Sequence, residues 1–141
     1  MGKKQVIQSD KLAPVRDRMA YSHVIRVGNT IYVSGQVARN KEHVICHKRD
    51  VVGQIDMVFQ NMKEVLEVAG ATMQDVVKLN FFCRDIWDMS DMLPVLRKYF
   101  GEHTPARTTV QVAQLGHPHL LVEVDAIAVV GEDQVIFDGK Q

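Results

Sequence analysis

Residues 23–36, HVIRVGNTIYVSGQ, contain two runs of β-forming residues on either side of Gly28-Asn29. Glycine and asparagine suit the positive φ angles of a tight two-residue turn. The stretch therefore predicts a β-hairpin, from which the rest of the fold can be built outward along the chain.

Two amphipathic helices are predicted after the hairpin. DVVGQIDMVFQNMKEVLEVAG (50–70) repeats its apolar side chains every 3.6 residues, with a suitable N-cap at Asp50 and a suitable stop at Gly70. DMSDMLPVLRKYFG (88–101) predicts the second helix, in which Pro94 should lie near the start, where a missing N–H costs least. Its apolar face is expected to comprise Met89, Leu93, Leu96 and Phe100.

Further strands are predicted around these helices. HVICHKR (43–49) predicts a short strand, DVVKLNFFCRD (75–85) a buried one, and two long strands at 106–114 and 120–130 are joined by LGHPH. The most economical arrangement is an α+β fold, a single mixed sheet with both helices on one face. We expect an irregular N-terminal arm, one domain and a C-terminal tail, at residues 1–20, 21–130 and 131–141.

With only two helices, one face of the sheet is left uncovered. On the last strand this face carries Leu121, Ile127 and Val129, or the residues that alternate with them. An exposed apolar sheet face usually marks an interface, so we expect a homo-oligomer. A formal net charge of zero, from 17 basic and 17 acidic residues, favours such self-association.

The composition also limits the classes of function. A chain of 141 residues, 46% hydrophobic and 24% charged, is typical of one globular domain. Because the net charge is zero, neither nucleic acid nor an acidic membrane surface is an expected partner. A signal-peptide core, a membrane-span pattern and a disulfide framework are not found, so a cytoplasmic protein with reduced thiols is expected.

Arg107 is the first candidate for chemistry. It lies on one side of the strand predicted from PARTTVQVAQ (105–114). The other side, predicted to face inward, comprises Thr108, Val110 and Val112. A guanidinium grips a carboxylate or phosphate through two parallel hydrogen bonds, and small neighbouring residues leave room for such a ligand. A surface arginine or a structural ion pair is the alternative that the pattern leaves open.

Glu123 and Asp125 form the second candidate group, because both lie on one face of LVEVDAIAVV (121–130). A carboxylate on an apolar face is costly unless it is paired or used, and desolvation raises its pKa toward the range of a general acid or base. An interface salt bridge is the open alternative. If LGHPH is a simple hairpin loop, Arg107 lies opposite residue 127, roughly 13 Å along the strand from Glu123. A subunit interface would then be needed to bring the pair together.

The histidines and cysteines do not suggest a metal site. The short-spaced residues are His43, Cys46, His47, His117 and His119. In a strand, Cys46 would point away from His43 and His47, whereas a metal needs three or four converging ligands. We therefore expect no metal and no other cofactor, and we expect Cys83 to be a small buried hydrophobe.

Four blocks of sequence, in order, resemble the RidA/YjgF/L-PSP family. They are VGNTIYVSGQ, NMKEVLEVAGATMQDVVKLNFF, YFGEHTPARTTVQVAQL and LVEVDAIAVV, and the resemblance covers about residues 21 to 130. It implies a chorismate-mutase-like α+β subunit that forms a homotrimer, with active-site clefts between adjacent subunits.

The same resemblance implies an activity. Deaminases of this family hydrolyse reactive enamines and imines, such as 2-aminoacrylate and 2-iminopropionate, to 2-keto acids and ammonia without a cofactor. By resemblance, Arg107 in the P-A-R-[ST] motif binds the substrate carboxylate, and Glu123 in the [VI]-E-[IV]-[ED]-A-I-A motif orients or activates the attacking water. Tyr21 and Ser34, the serine of S-G-Q, are implied to line the cleft.

Three positions depart from the family pattern. Met19-Ala20 replaces the usual Gly-Pro before Tyr21, Leu93 stands where such deaminases often carry asparagine, and Thr109 stands where many have cysteine. Leu93 and Thr109 are therefore included among the expected substrate-binding residues. The first two departures favour bulkier or less polar imines.

Two other functions stay open at the level of sequence. One is a binding module for a 2-keto acid or similar small carboxylate without turnover, which replacement of Glu123 would distinguish from an enzyme. The other is the endoribonuclease and translation-inhibitor role of some family members. Zero net charge and the lack of a basic track with stacking aromatics argue against that role.

Overall fold

The computed structural model of the chain describes residues 3–132 and residue 139, so most of the tail predicted at 131–141 lies outside the described residues. In chain order the strands and α-helices are β1 (Lys4–Ile7), α1 (Arg16–Met19), β2 (Val24–Val27), β3 (Thr30–Gln36), α2 (Val51–Val68), β4 (Val76–Cys83), α3 (Met89–Phe100), β5 (Ala106–Gln111) and β6 (Val122–Val129). None of the helices in this described part has the length and hydrophobicity needed to cross a membrane.

The six strands form one mixed sheet in the order β1-β2-β3-β6-β4-β5. Neighbouring strands are antiparallel except β4 and β5, which are parallel. The core lies between the sheet and α2 and α3, and its most deeply buried side chains include Ile31, Ile55, Phe59, Met62, Leu79, Phe81 and Met92. The predicted α+β architecture, a mixed sheet with two main helices on one face, is confirmed. We call the opposite side of the sheet the open face.

The hairpin and the first long helix form as their local sequences predict. Gly28 takes a φ of 58° at the turn between β2 and β3. Asp50 caps α2, because its carboxylate accepts a hydrogen bond from the backbone N–H of Gly53 at 3.0 Å. Gly70, one residue beyond the C-cap, takes a φ of 87° and ends the helix. These boundaries are therefore set by local chemistry.

The second long helix forms, but two details of its prediction are wrong. Pro94 is the sixth residue of α3 and lies inside it, so the bond that its missing N–H would make is lost within the helix. Of the predicted apolar face, Phe100 is buried and Met89 and Leu96 pack against the core, but Leu93 is 43% exposed. Met92 and Val95, which were not predicted, are buried as well. Leu93 is thus available at the surface of the helix.

The strand predicted at 43–49 does not form. Only an isolated bridge between Arg39 and Ile45 is present there. His43, His47 and Arg49 all take φ angles of 56° to 65°, which an extended strand excludes. The segment is therefore an irregular loop between β3 and α2.

The N-terminal residues are more ordered than the irregular arm that we expected. Lys4–Ile7 pairs with β2 as an outer strand of the sheet. After it, Leu12, Ala13 and Val15 are buried. Three apolar residues among polar neighbours are enough to dock this segment, although they have no clear helical or strand periodicity.

The strand β5 does not pair with β6 as a simple hairpin would require. β4 lies between them: Leu79 is aligned with Arg107 on one side and with Ala126 on the other. Because aligned residues in neighbouring strands share a face, Arg107 lies on the same side of the sheet as the helices. Thr108 and Val110, predicted to face inward, instead lie on the open face.

Candidate active site

The structure divides the expected site residues of one chain into two groups on opposite faces of the sheet. Arg107, Thr109 and Leu93 lie on the helix side, around β5 and α3. Glu123 lies on the open face, because its neighbours Val122 and Val124 face the core. Tyr21, before β2, is close enough for the Glu123 charge to act on it, and Ser34 in β3 precedes Gly35, against which Glu123 lies. We call these groups the arginine half-site and the glutamate half-site; one chain does not unite them.

The arginine half-site is formed where the outer strand β5 begins beside α3. The guanidinium carbon of Arg107 lies 5.9 Å from the centre of the Phe81 ring, so the buried ring supports the cation from below. Arg107 and Leu93 line a cavity of about 360 Å³ that also includes Leu96 and Pro105. Among residues 3–132, Arg107 has no carboxylate within the 4.0 Å of an ion pair, which leaves its donors available.

The two family departures in this half-site have definite consequences. Leu93, which stands in place of a common asparagine, presents an apolar side chain to the cavity that it shares with Arg107. The hydroxyl of Thr109 donates to the sulfur of Met89 at 3.9 Å, so it is turned toward α3. The cavity is therefore lined by apolar side chains together with two arginines, Arg97 and Arg107, and by His103 and Thr104.

The glutamate half-site depends on a close approach between β6 and β3. The ladder between these strands is irregular between Val33 and Gln36, as at a β-bulge. The Glu123 carboxyl lies directly against Gly35: a Cβ added there would be 2.8 Å from both the carboxyl carbon and Oε2 of Glu123. Gly35 therefore makes room for the carboxyl group. A glycine inside a strand often marks such a close approach, so the role of Gly35 could have been predicted from the sequence.

The surroundings of Glu123 change its acidity. Burial raises the pKa of this carboxyl, and the charge of Asp125 on the same face raises it further. Asp125 itself accepts a hydrogen bond from the Asn80 amide at 2.8 Å. A carboxyl group with a raised pKa that is still partly accessible is suited to accept and return a proton.

Tyr21 and Ser34 complete the glutamate half-site. The Ser34 hydroxyl donates to the Ser22 carbonyl at 2.5 Å, which ties β3 to the residue next to Tyr21. The Tyr21 ring is 40% exposed and makes an edge-on contact with His23, with ring centres 6.0 Å apart. Burial raises the pKa of the Tyr21 phenol, the cation of Arg39 lowers it and Glu123 raises it. Sequence patterns gave no indication that Arg39 belongs to this group.

Other reactive side chains do not add to the site. Burial, followed by the charge of Asp88, raises the pKa of Cys83 to about 11, so its thiol is a poor nucleophile. Within the part of the chain that the structure describes, no three His, Cys, Asp or Glu side chains converge as metal ligands would. The side chains suited to bind a substrate or to transfer a proton are therefore those of Arg107, Glu123 and Tyr21.

Comparison with known proteins places this geometry in a family. Residues 12–130 match the family described as Endoribonuclease L-PSP. A protein of Dermatophagoides farinae named 2-iminobutanoate/2-iminopropanoate deaminase is 41% identical over 133 residues, which covers 92% of this chain and 99% of that protein. A RutC family protein of Pyrococcus abyssi is 41% identical over 125 residues, or 89% and 96% of the two chains.

Solved structures agree with the sequence matches. The crystal structure of RidA from the Antarctic bacterium Psychrobacter sp. superposes with a TM-score of 0.80 at 35% identity. The superposition covers 89% of this chain and 99% of that one. The similarity therefore extends over nearly the whole domain.

Proposed function

We propose that this chain, which belongs to the endoribonuclease L-PSP family, is a cofactor-free hydrolytic deaminase of reactive enamines and imines. Its substrates would be of the 2-aminoacrylate and 2-iminopropionate type, and its products a 2-keto acid and ammonia. The observation that carries the proposal is Arg107, a cation beside a cavity with no carboxylate partner among residues 3–132. The name and 41% identity of the mite relative support it.

The proposed reaction needs positioning and modest acid–base help. Arg107 binds the substrate carboxylate through two hydrogen bonds and so fixes the imine carbon. An enamine first takes a proton on carbon and loses one from nitrogen, which gives the imine tautomer. Ionised Glu123 then accepts a proton from water as the oxygen bonds to the imine carbon, and that proton passes to nitrogen. The remaining hydroxyl proton is then transferred to nitrogen as the C–N bond breaks, which releases ammonia and gives the keto acid.

We further propose that the active site is shared between subunits of a homotrimer. In one chain Arg107 and Glu123 lie on opposite faces of the sheet and cannot touch the same small substrate. The open face carries partly exposed apolar side chains that suit a subunit interface: Tyr32, Phe82, Val110 and Ile127. Packing of this face on a neighbouring subunit would bring the glutamate half-site of one chain to the arginine half-site of the next.

The direct test is keto acid formation from imines that an amino-acid oxidase generates in the assay. We expect the wild type to accelerate this step, and Arg107→Ala to lower kcat/KM by roughly 100-fold, since two charge-assisted hydrogen bonds are lost. Arg107→Lys should recover little, because lysine cannot form the planar two-bond contact. Arg18→Ala, an exposed arginine of α1, is the matched control.

Glu123→Gln separates an enzyme from a binding module. In a deaminase this variant should lose hydrolysis while it still binds a 2-keto acid, as measured by calorimetry. A wild type that binds keto acids but hydrolyses no imine would overturn the proposed activity.

A further inference from the structure

Arg39 is an arginine that the proposed mechanism does not use, and its main chain is firmly held. Its backbone N–H donates to the Val37 carbonyl at 2.8 Å. The side-chain amide of Asn61 in α2 donates to the carbonyls of both Val37 and Arg39 at 3.1 Å. A bridge to Ile45 adds a further constraint. The side chain of Arg39 therefore starts from a fixed point.

The guanidinium of Arg39 lacks the partners that usually accompany a partly buried arginine. Its Nε is buried and has no hydrogen-bond acceptor among the residues that the structure describes. Within the same residues no carboxylate forms an ion pair with it. A buried donor without an acceptor is unfavourable, so this side chain is not explained by its contribution to stability.

Arg39 and Tyr21 line the same small cavity, together with Gly35, against which the Glu123 carboxyl lies. The volume of this cavity is about 30 Å³, enough for one water molecule. The Tyr21 hydroxyl makes no hydrogen bond to any described residue, and the ring is held from one edge by His23. At this cavity the Arg39 guanidinium can donate a hydrogen bond, and the Tyr21 hydroxyl oxygen can accept one.

We propose that Arg39 is a positioning residue of this site, whose guanidinium holds the Tyr21 hydroxyl, directly or through one water, toward Glu123 and the substrate. The catalytic part of this inference rests on the proposed deaminase function. The backbone before Tyr21 does not hold this residue strongly by itself. Met19-Ala20 precedes it, and Ala20 takes a φ of 59° in a turn that contains no proline. The Arg39 guanidinium, which extends from a firmly held backbone in the loop after β3, supplies the missing constraint.

The charged and titratable groups around Tyr21 come from three parts of the chain. They are His23 at the entry to β2, Arg39 and His43 in the loop after β3, and Glu123 in β6. Of these, Arg39 lowers and Glu123 raises the pKa of the phenol. Removal of the Arg39 charge should therefore move the titration of Tyr21 to higher pH.

The first test follows this titration by NMR of tyrosines labelled with carbon-13 at Cζ, with the Tyr21 signal assigned by Tyr21→Phe. Arg39→Met should raise the pKa of Tyr21, whereas Arg39→Lys, which keeps the charge, should leave it close to that of the wild type. Arg18→Met removes a charge three residues before Tyr21 and should have no effect. A Tyr21 titration that Arg39→Met leaves unmoved would overturn the inference, whether or not the protein is a deaminase.

The second test is kinetic. Arg39→Met should lower kcat by about tenfold with little change in KM, because a misplaced Tyr21 hydroxyl costs orientation in the transition state more than it costs substrate binding. Arg39→Lys should restore part of the loss. In a Tyr21→Phe background, Arg39→Met should cause no further loss, and an equal loss in both backgrounds would contradict an action through Tyr21. If the wild type hydrolyses no imine, the proposed function fails while the NMR titration still decides the role of Arg39.

Discussion

At Glu123, the features that suit the side chain to the proposed chemistry also lower the stability of the fold. Burial, and then Asp125, raise the pKa of its carboxyl in the folded protein. A group with a raised pKa favours folding while it is protonated, and that contribution is lost as the pH rises through the folded-state pKa. At neutral pH the ionised Glu123 therefore lowers the free energy of unfolding, as is common for groups held ready for catalysis.

Asp125→Asn should shift the pH dependence of the reaction. Removal of the neighbouring charge lowers the pKa of Glu123, so the base form persists to lower pH. The acidic limb of kcat/KM should move toward acid, as measured from a pH–rate profile for one imine. Asp91→Asn, on α3, is the control and should leave the limb in place. An acidic limb that stays fixed or moves toward base in Asp125→Asn would show that Glu123 is not the titrating base.

Some individual residues of the candidate site can be identified from the sequence, and others cannot. Arg107 and Glu123 stand out because each places a charge in a β-rich run, and the structure puts each in a distinctive environment. Arg39 gives no such signal, because the role proposed for it rests on its lack of side-chain partners among residues 3–132 of the folded chain. Whether Arg107 and Glu123 act as the family resemblance implies stays a prediction.

The strand β3 positions the glutamate half-site through its irregular segment. Gly35→Ala would place a methyl group 2.8 Å from the Glu123 carboxyl carbon, so the carboxyl must move. We expect kcat to fall by about 100-fold, the effect of a displacement of roughly 1 Å, with a small change in KM.

The control for this change is Gly116→Ala, since a Cβ there meets no atom within 4 Å. Steady-state kinetics and thermal unfolding of both variants separate displacement of Glu123 from loss of fold. An unchanged kcat in Gly35→Ala would mean that the position of Glu123 does not matter.

Local sequence predicts those elements whose ends carry their own chemistry. The hairpin at Gly28 and the helix between Asp50 and Gly70 are confirmed for this reason. The loop at 43–49 was mistaken for a strand because its positive φ angles fall on His43, His47 and Arg49, which residue preferences do not mark. The parallel pairing of β5 with β4 agrees with the order strand, helix, strand, which favours a parallel crossover. The simple hairpin of β5 with β6 was the wrong alternative.

The open face of the sheet carries partly exposed apolar side chains, and the proposed trimer explains them because a neighbouring subunit would cover them. On the open face, Ile127 is aligned with Tyr32 on one side and with Lys78 on the other, in the middle of the sheet. Ile127→Asp should separate the oligomer, because a buried unpaired charge at an interface is strongly unfavourable. Deaminase activity should be lost with the oligomer while the protomer stays folded.

Sedimentation velocity and circular dichroism measure these two properties of Ile127→Asp. Val68→Asp makes the same kind of change at an exposed valine at the end of α2 and should affect neither the oligomer nor the activity. An active monomer would contradict the shared site.

The most direct test of the central claim is complementation between two inactive variants. Arg107→Ala and Glu123→Gln are produced together with different tags, and mixed oligomers are purified through both tags. In a mixed ring of three subunits, one site of every three receives an intact Arg107 from one chain and an intact Glu123 from its neighbour. We predict that the mixed oligomer forms keto acid at about one third of the wild-type rate, whereas each variant alone is inactive. Failure of the mixture to recover activity would show that the two half-sites do not combine across subunits.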